Sequence, residues 1–109
     1  MEHCDLHTLD VETRQPRILH SARGEARSIL IALSAGEALQ DHQVHERAYF
    51  VVIAGEVDLA GAVGGPGLAA VFEPAERHAV RAHTDARLLS CWRPGPGKAT
   101  PAPATTSEA

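Results

Sequence analysis

The stretch Tyr49-Phe50-Val51-Val52-Ile53 is apolar at every position, rich in β-branched and aromatic residues, and is stopped by Ala54-Gly55. Such a run reads as a strand that wants cover on both faces. Five residues are too few for a buried helix, and the glycine that follows marks a turn. Other short runs lie on either side. Ser28-Ile29-Leu30-Ile31-Ala32-Leu33 ends at the turn Ser34-Ala35-Gly36, and Glu56-Val57-Asp58-Leu59 alternates polar with apolar. Residues 68–73, 78–81 and 87–92 complete the series, while Gly61-Ala62-Val63-Gly64-Gly65-Pro66-Gly67 reads as a loop. A helix over residues 25–40 is opposed by Gly36 and the isoleucine-rich run. Many short strands punctuated by Gly and Pro predict an all-β sandwich or small barrel.

Three zones divide the 109 residues. Residues 1–26 are polar and weakly patterned, with room for one or two strands packed on the barrel. Residues 27–93 hold nearly all the large apolar side chains. Residues 94–109, PGPGKATPAPATTSEA, carry none, so they are expected to stay disordered: little burial offsets their ordering entropy. One small domain is all this length supports. The outer face of the 49–53 strand must then be covered by the amino-terminal segment or by a second subunit, and a homodimer is expected.

Charge narrows the partners. The net charge is −4 and no basic stripe stands out, so nucleic acid is not expected. No run of eighteen apolar residues suggests a membrane helix, and residues 1–20 lack the apolar core of a secretory signal. A cytoplasmic protein with two free thiols, Cys4 and Cys91, is the expectation. Cys91 reads as a small buried hydrophobe, and Tyr49, Phe50 and Phe72 as core. Trp92, closing the last strand, would cap the barrel.

The chemistry-bearing residues are histidines, of which there are seven. His3 and His7 flank Cys4 in a polar segment, where exposure is the simpler reading, and His20 and His83 sit beside turns. The informative set is His42, His45, Glu46, Glu76 and His78. The first three lie in Gln40-Asp41-His42-Gln43-Val44-His45-Glu46-Arg47-Ala48, before one apolar strand, and the last two before another. Imidazole nitrogens with a carboxylate oxygen form a ligand set for Zn, Fe(II), Mn or Ni. Along a strand, His42, Val44 and Glu46 share a face and His45 points away; a bulge at Val44 would turn His45 inward instead. Arg47 and Arg77 adjoin these residues and would pair with Glu46 and Glu76, or anchor an anionic ligand.

Gly36, five residues, His42 and then an apolar strand ending at Gly55-Glu56-Val57 resembles the first motif of the cupin family. That motif has a glycine, five residues, His-x-His, three or four residues, a glutamate, six residues and a closing glycine. The segment Phe72-Glu73-Pro74-Ala75-Glu76-Arg77-His78-Ala79-Val80 is similar to the second motif, where a proline turn precedes a metal-binding histidine. The resemblance spans about residues 27–92. It implies a small jelly-roll β-barrel, commonly dimeric, often with one divalent metal inside. By that resemblance His42 and His78 are metal ligands, while Val44 stands at the second histidine and Ala48 at the glutamate. His45, Glu46 or Glu76 would restore the ligand count. Val44, Ala48, Phe50 and Glu76 are the expected cavity-lining or auxiliary residues.

Two functions fit: a barrel binding a divalent metal and a small molecule, with oxygenase- or isomerase-type chemistry, or a non-catalytic ligand-binding or sensing module with a degenerate metal site. The fold alone does not choose between them.

Overall fold

A β-strand that is apolar on alternate positions buries one face only by meeting a second sheet, and this chain supplies two. In the computed structural model residues 1–43 and 46–93 are described, with residues 40–43 described by their backbone. The expectations placed on Val44, His45 and the 94–109 tail fall outside the described residues. Nine strands follow in order: β1 (Arg17–His20), β2 (Arg27–Leu33), β3 (Ala38–Gln43), β4 (Ala48–Ala54), β5 (Val57–Leu59), β6 (Ala62–Gly64), β7 (Ala69–Phe72), β8 (Arg77–Ala82) and β9 (Ala86–Trp92). They form a five-stranded sheet, β1-β2-β9-β4-β7, and a four-stranded sheet, β3-β8-β5-β6, with every strand pair antiparallel. The described residues contain no helix, and so none long and apolar enough to cross a membrane.

Alternation along each strand builds the core. Ile29, Ile31 and Leu33 on β2, Ala48, Phe50 and Val52 on β4, Phe72 on β7, and Ala86, Leu88 and Trp92 on β9 face inward. They meet Leu39, Val57, Leu59, Val80 and Ala82 of the other sheet. The β8 pattern, exposed and buried in strict alternation, places His78, Val80 and Ala82 on this inner side.

Leu30 and Ala32 are also buried although they lie on the opposite face of β2 and outside the core cluster. The segment before β1 crosses there. Thr13 bridges Ala32, and the Arg14 N–H donates to the Ala32 carbonyl at 2.8 Å. The Arg87 guanidinium donates to the carbonyls of Leu6 and Leu9 at 2.9 and 2.7 Å, tying the segment to β9. This cover does not reach the outer side of β4 and β7, where Tyr49 and Val71 remain 49% and 51% exposed. Val51, Leu89 and Cys91 beside them are half-buried. Tyr49 pairs with Val71 on one side and Cys91 on the other, so these residues make one continuous apolar row.

Two strands depart from the sequence reading. Residues 62–64, expected in a loop, form β6, because Ala60 and Gly61 both take positive φ (52° and 99°) and close a two-residue hairpin from Leu59 to Ala62. That is the twist-matched turn for a tight hairpin. The Gly61 N–H is further held by the Asp58 carboxylate at 2.6 Å. Residues 38–43 form β3, whose sequence, Ala-Leu-Gln-Asp-His-Gln, carries a single large apolar residue. It is a strand because β8 offers it a partner edge, and tertiary pairing overrides weak propensity.

Candidate metal and ligand site

Among the described residues His78 is the one ionisable side chain fully buried between the sheets. It is 2% exposed, and both ring nitrogens are out of contact with solvent. The turn Glu73-Pro74-Ala75-Glu76 delivers it. Ala75 takes φ 68°, the Glu76 N–H donates to the Glu73 carbonyl at 2.9 Å, and the Glu73 N–H donates to the Glu76 carboxylate at 2.8 Å. From this turn β8 starts with its second residue facing inward. His78 packs edge-on to Phe50, ring centroids 5.5 Å apart, and tilted against Phe72 at 4.7 Å; the two phenylalanines meet edge to face at 5.3 Å. Three rings thus close one end of the space between the sheets, with quadrupole-favoured geometries.

Across the β3–β8 ladder the position paired with His78 is His42. Antiparallel partners have Cα atoms roughly 4.5–5.5 Å apart, so residues far separated in sequence are immediate neighbours here. A register shift between Leu39 and His42 precedes this pair. Glu46, on the connection from β3 to β4, is half-buried with its Oε1 shielded from solvent. Among the described residues no three histidine, cysteine or carboxylate side chains gather as a metal-holding group.

Ala48 and Phe50 lie on the inner face of β4, and both are buried in the core. Glu76 does not join them. It is exposed, and its carboxylate is spent on the turn that positions His78. The reason is local geometry: a carboxylate three residues after an extended N–H is in reach of it, so the short loop captures the side chain. Arg47 pairs with Glu73 at 2.6 Å, not with Glu46. That hydrogen bond and the adjacent negative charge raise the guanidinium pKa. The bridge is exposed and joins the entrance of β4 to the turn before β8.

Tyr49, read as core, lies instead on the outer face of β4 at 49% exposure, and Cys91, read as buried, is half-buried beside it. His20 is exposed and bonded to Glu25 at 2.8 Å, and His83 is exposed 3.6 Å from Glu56. Both cysteines are free thiols; burial pushes the Cys91 thiol up, keeping it protonated on the outer face of β9. Trp92 and Arg27 belong to the same inner end of the barrel, and sequence reading left Arg27 unremarked. Nothing local marks it; only the β2–β9 register brings it opposite Trp92.

No protein-family model matches the chain, and no curated protein matches it. Solved structures do. An RmlC-like cupin from Desulfovibrio desulfuricans superposes with a TM-score of 0.71 at 22% identity, over 85% of this chain and 95% of the other. A cupin superfamily protein from Desulfitobacterium hafniense gives 0.69 at 12% identity, over 83% and 87%. A protein proposed to be an acetylacetone dioxygenase, from Methylibium petroleiphilum, gives 0.69 at 13% identity, over 85% and 76%. The fold is that of the cupins.

Proposed function

We propose that this cupin-fold chain binds a divalent metal and a small molecule at the His78 end of its barrel. The observation that carries the reading is the register pairing of His42 with the buried His78; Glu46, with its Oε1 shielded from solvent, follows on the connection out of β3. Buried imidazoles are retained where they ligate, hydrogen-bond or titrate, since an apolar neighbourhood otherwise disfavours them. His42, His78 and Glu46 would hold the ion, with His45 as an alternative donor from the first-motif stretch, and the mixed nitrogen and oxygen set suits Zn, Fe(II), Mn or Ni. A metal held there supplies Lewis-acid or oxygen-activating chemistry at its open positions. The chain's own contribution is a wall of Phe50, Phe72 and Ala48 that excludes water from that end and seats an apolar ligand body.

Elemental analysis of untagged protein tests this. About one equivalent of metal is expected in the wild type, with at least tenfold loss in both His42→Ala and His78→Ala. Retention in His42→Ala with loss in His45→Ala reassigns the first ligand to His45. Well-folded wild type purified without metal and unable to take up added Zn2+ or Mn2+ overturns the metal site. In that case the second reading stands, a non-catalytic ligand-binding module. The methyl group of Ala48 favours it, standing where the cupin motif carries a glutamate.

The outer apolar row of Val71, Tyr49 and Cys91, with Val51 and Leu89 beside it, is proposed to be covered by a second copy of the chain. Residues 94–109 carry no large apolar side chain that could cover it. A two-fold dimer sets the same patch of each copy against the other, so an apolar row would be covered by its own counterpart. Tyr49→Asp is expected to convert a dimer to a monomer by size-exclusion chromatography with light scattering. A wild type that is monomeric at about 100 μM overturns the proposal. The two free thiols suit a reducing compartment such as the cytoplasm.

A further inference from the structure

At the His78 end, one row of residues runs across the inner face of the larger sheet. Phe72 pairs with Ala48, Ala48 with Trp92, and Trp92 with Arg27. Trp92 is only 7% exposed, and its Nε1 is wholly shielded from solvent. The Arg27 guanidinium lies against the indole, its Cζ 5.9 Å from the ring centroid, and is oriented by donation from Nε to the Ser21 hydroxyl at 2.9 Å. Its Nη1 is likewise shielded. Among the described residues neither Nη1 nor Trp92 Nε1 has a hydrogen-bond acceptor, and no carboxylate forms an ion pair with Arg27.

Two adjacent side chains thus each present a buried donor with nothing to receive it. Folded proteins seldom leave such groups unmatched, least of all on a cation, because desolvation is then uncompensated. The guanidinium as a whole stays partly exposed, and its contact with the indole satisfies no N–H at Nη1. We infer that Arg27 and Trp92 form an oxyanion subsite that binds the carboxylate of a small apolar acid. The guanidinium's forked donors match a carboxylate, and the indole N–H adds one neutral donor. One cation beside a neutral donor balances a monoanion. A phosphate, with up to two charges, would call for further donors. Ala48 stands between Phe72 and Trp92 in the register, and these apolar side chains are the neighbours that the acid's hydrocarbon part would meet. The inference rests on the reading that a small molecule occupies this end of the barrel, and it is independent of metal.

Trp92 is the only tryptophan, so its fluorescence reports the subsite directly. EDTA-treated protein titrated with hexanoate is expected to show a saturable change, and hexanamide, the neutral counterpart, a response at least tenfold weaker. Arg27→Met, which keeps the stem and loses the charge, is expected to weaken hexanoate binding at least tenfold. Should that variant not fold, Arg27→Lys, which keeps the charge and loses the fork, is expected to weaken binding severalfold. Equal response to acid and amide, no saturable response to hexanoate, or undiminished binding in the folded Arg27 variant overturns the inference. Inorganic phosphate binding as tightly as hexanoate overturns the carboxylate assignment. Hexanoate binding without metal supports the subsite whatever the metal content of the protein. Stoichiometric metal with no hexanoate response refutes the subsite alone.

Discussion

Gly55→Ala is expected to cost about 3 kcal/mol or more, and at the upper end to prevent folding. Gly55 takes φ +83°, and a Cβ there would stand 2.1 Å from the Asp85 carbonyl oxygen and 2.7 Å from the Ala86 Cα. Both are backbone atoms, at the end of the β8–β9 turn and the start of β9, so no rotamer change relieves the clash. The same crossing carries the ties that close this end of the barrel. The Glu56 N–H donates to the Thr84 hydroxyl at 2.9 Å, and the His83 N–H to the Glu56 carbonyl at 2.8 Å. Pushing the two turns apart breaks these bonds along with the adjoining β4–β9 register. Gly36→Ala is the matched control. Its φ is +84°, but nothing lies within 4 Å of the added methyl, so only the left-handed backbone penalty of about 1–2 kcal/mol applies. Thermal denaturation of the two variants separates close approach from conformational strain. A Gly55→Ala protein melting as high as Gly36→Ala refutes the argument.

Phe50→Ala is expected to lose about 3–5 kcal/mol and to loosen the candidate site at the same time. The ring is 3% exposed and packed against Phe72 and His78, so its removal leaves a cavity that the close-packed sheets cannot fill. At roughly 4–8 °C per kcal/mol for a domain near this size, the melting temperature should fall by more than 10 °C. Because the ring packs edge-on to His78, metal content at the proposed site, measured below the new melting temperature, should fall too. Phe50→Leu, which keeps most of the volume, should lose less of both. Full metal occupancy in a folded but destabilised Phe50→Ala protein would show that His78 is held by other contacts.

The strands with the densest apolar content were legible in the linear chain: residues 28–33, 49–53 and 87–92 became the cores of β2, β4 and β9. They are buried on at least one face whatever the topology, so local composition suffices to mark them. The two-residue hairpin at Ala60-Gly61 was hidden, because alanine at a positive φ carries no signature and the glycines around it suggested a loop. Strand β3 was hidden for a different reason. Its stability comes from the β8 edge beside it, and a polar sequence does not announce its partner. Glu76 showed a third limit: a carboxylate near a histidine looks like a ligand until its own turn is seen to bind it.

What the amino-acid order determined alone is the division into short apolar runs and turns, since alternation and turn chemistry act over a few residues and need no distant partner. From that follow an all-β architecture and a short set of candidate histidines. Which residues meet was decided only by tertiary pairing. The antiparallel register set His42 opposite His78, seated Ala48 between Phe72 and Trp92, and brought Arg27 onto the indole. These partnerships depend on strands far apart in the chain sharing one ladder. A slip of one residue would have turned every side chain of a strand to the other face.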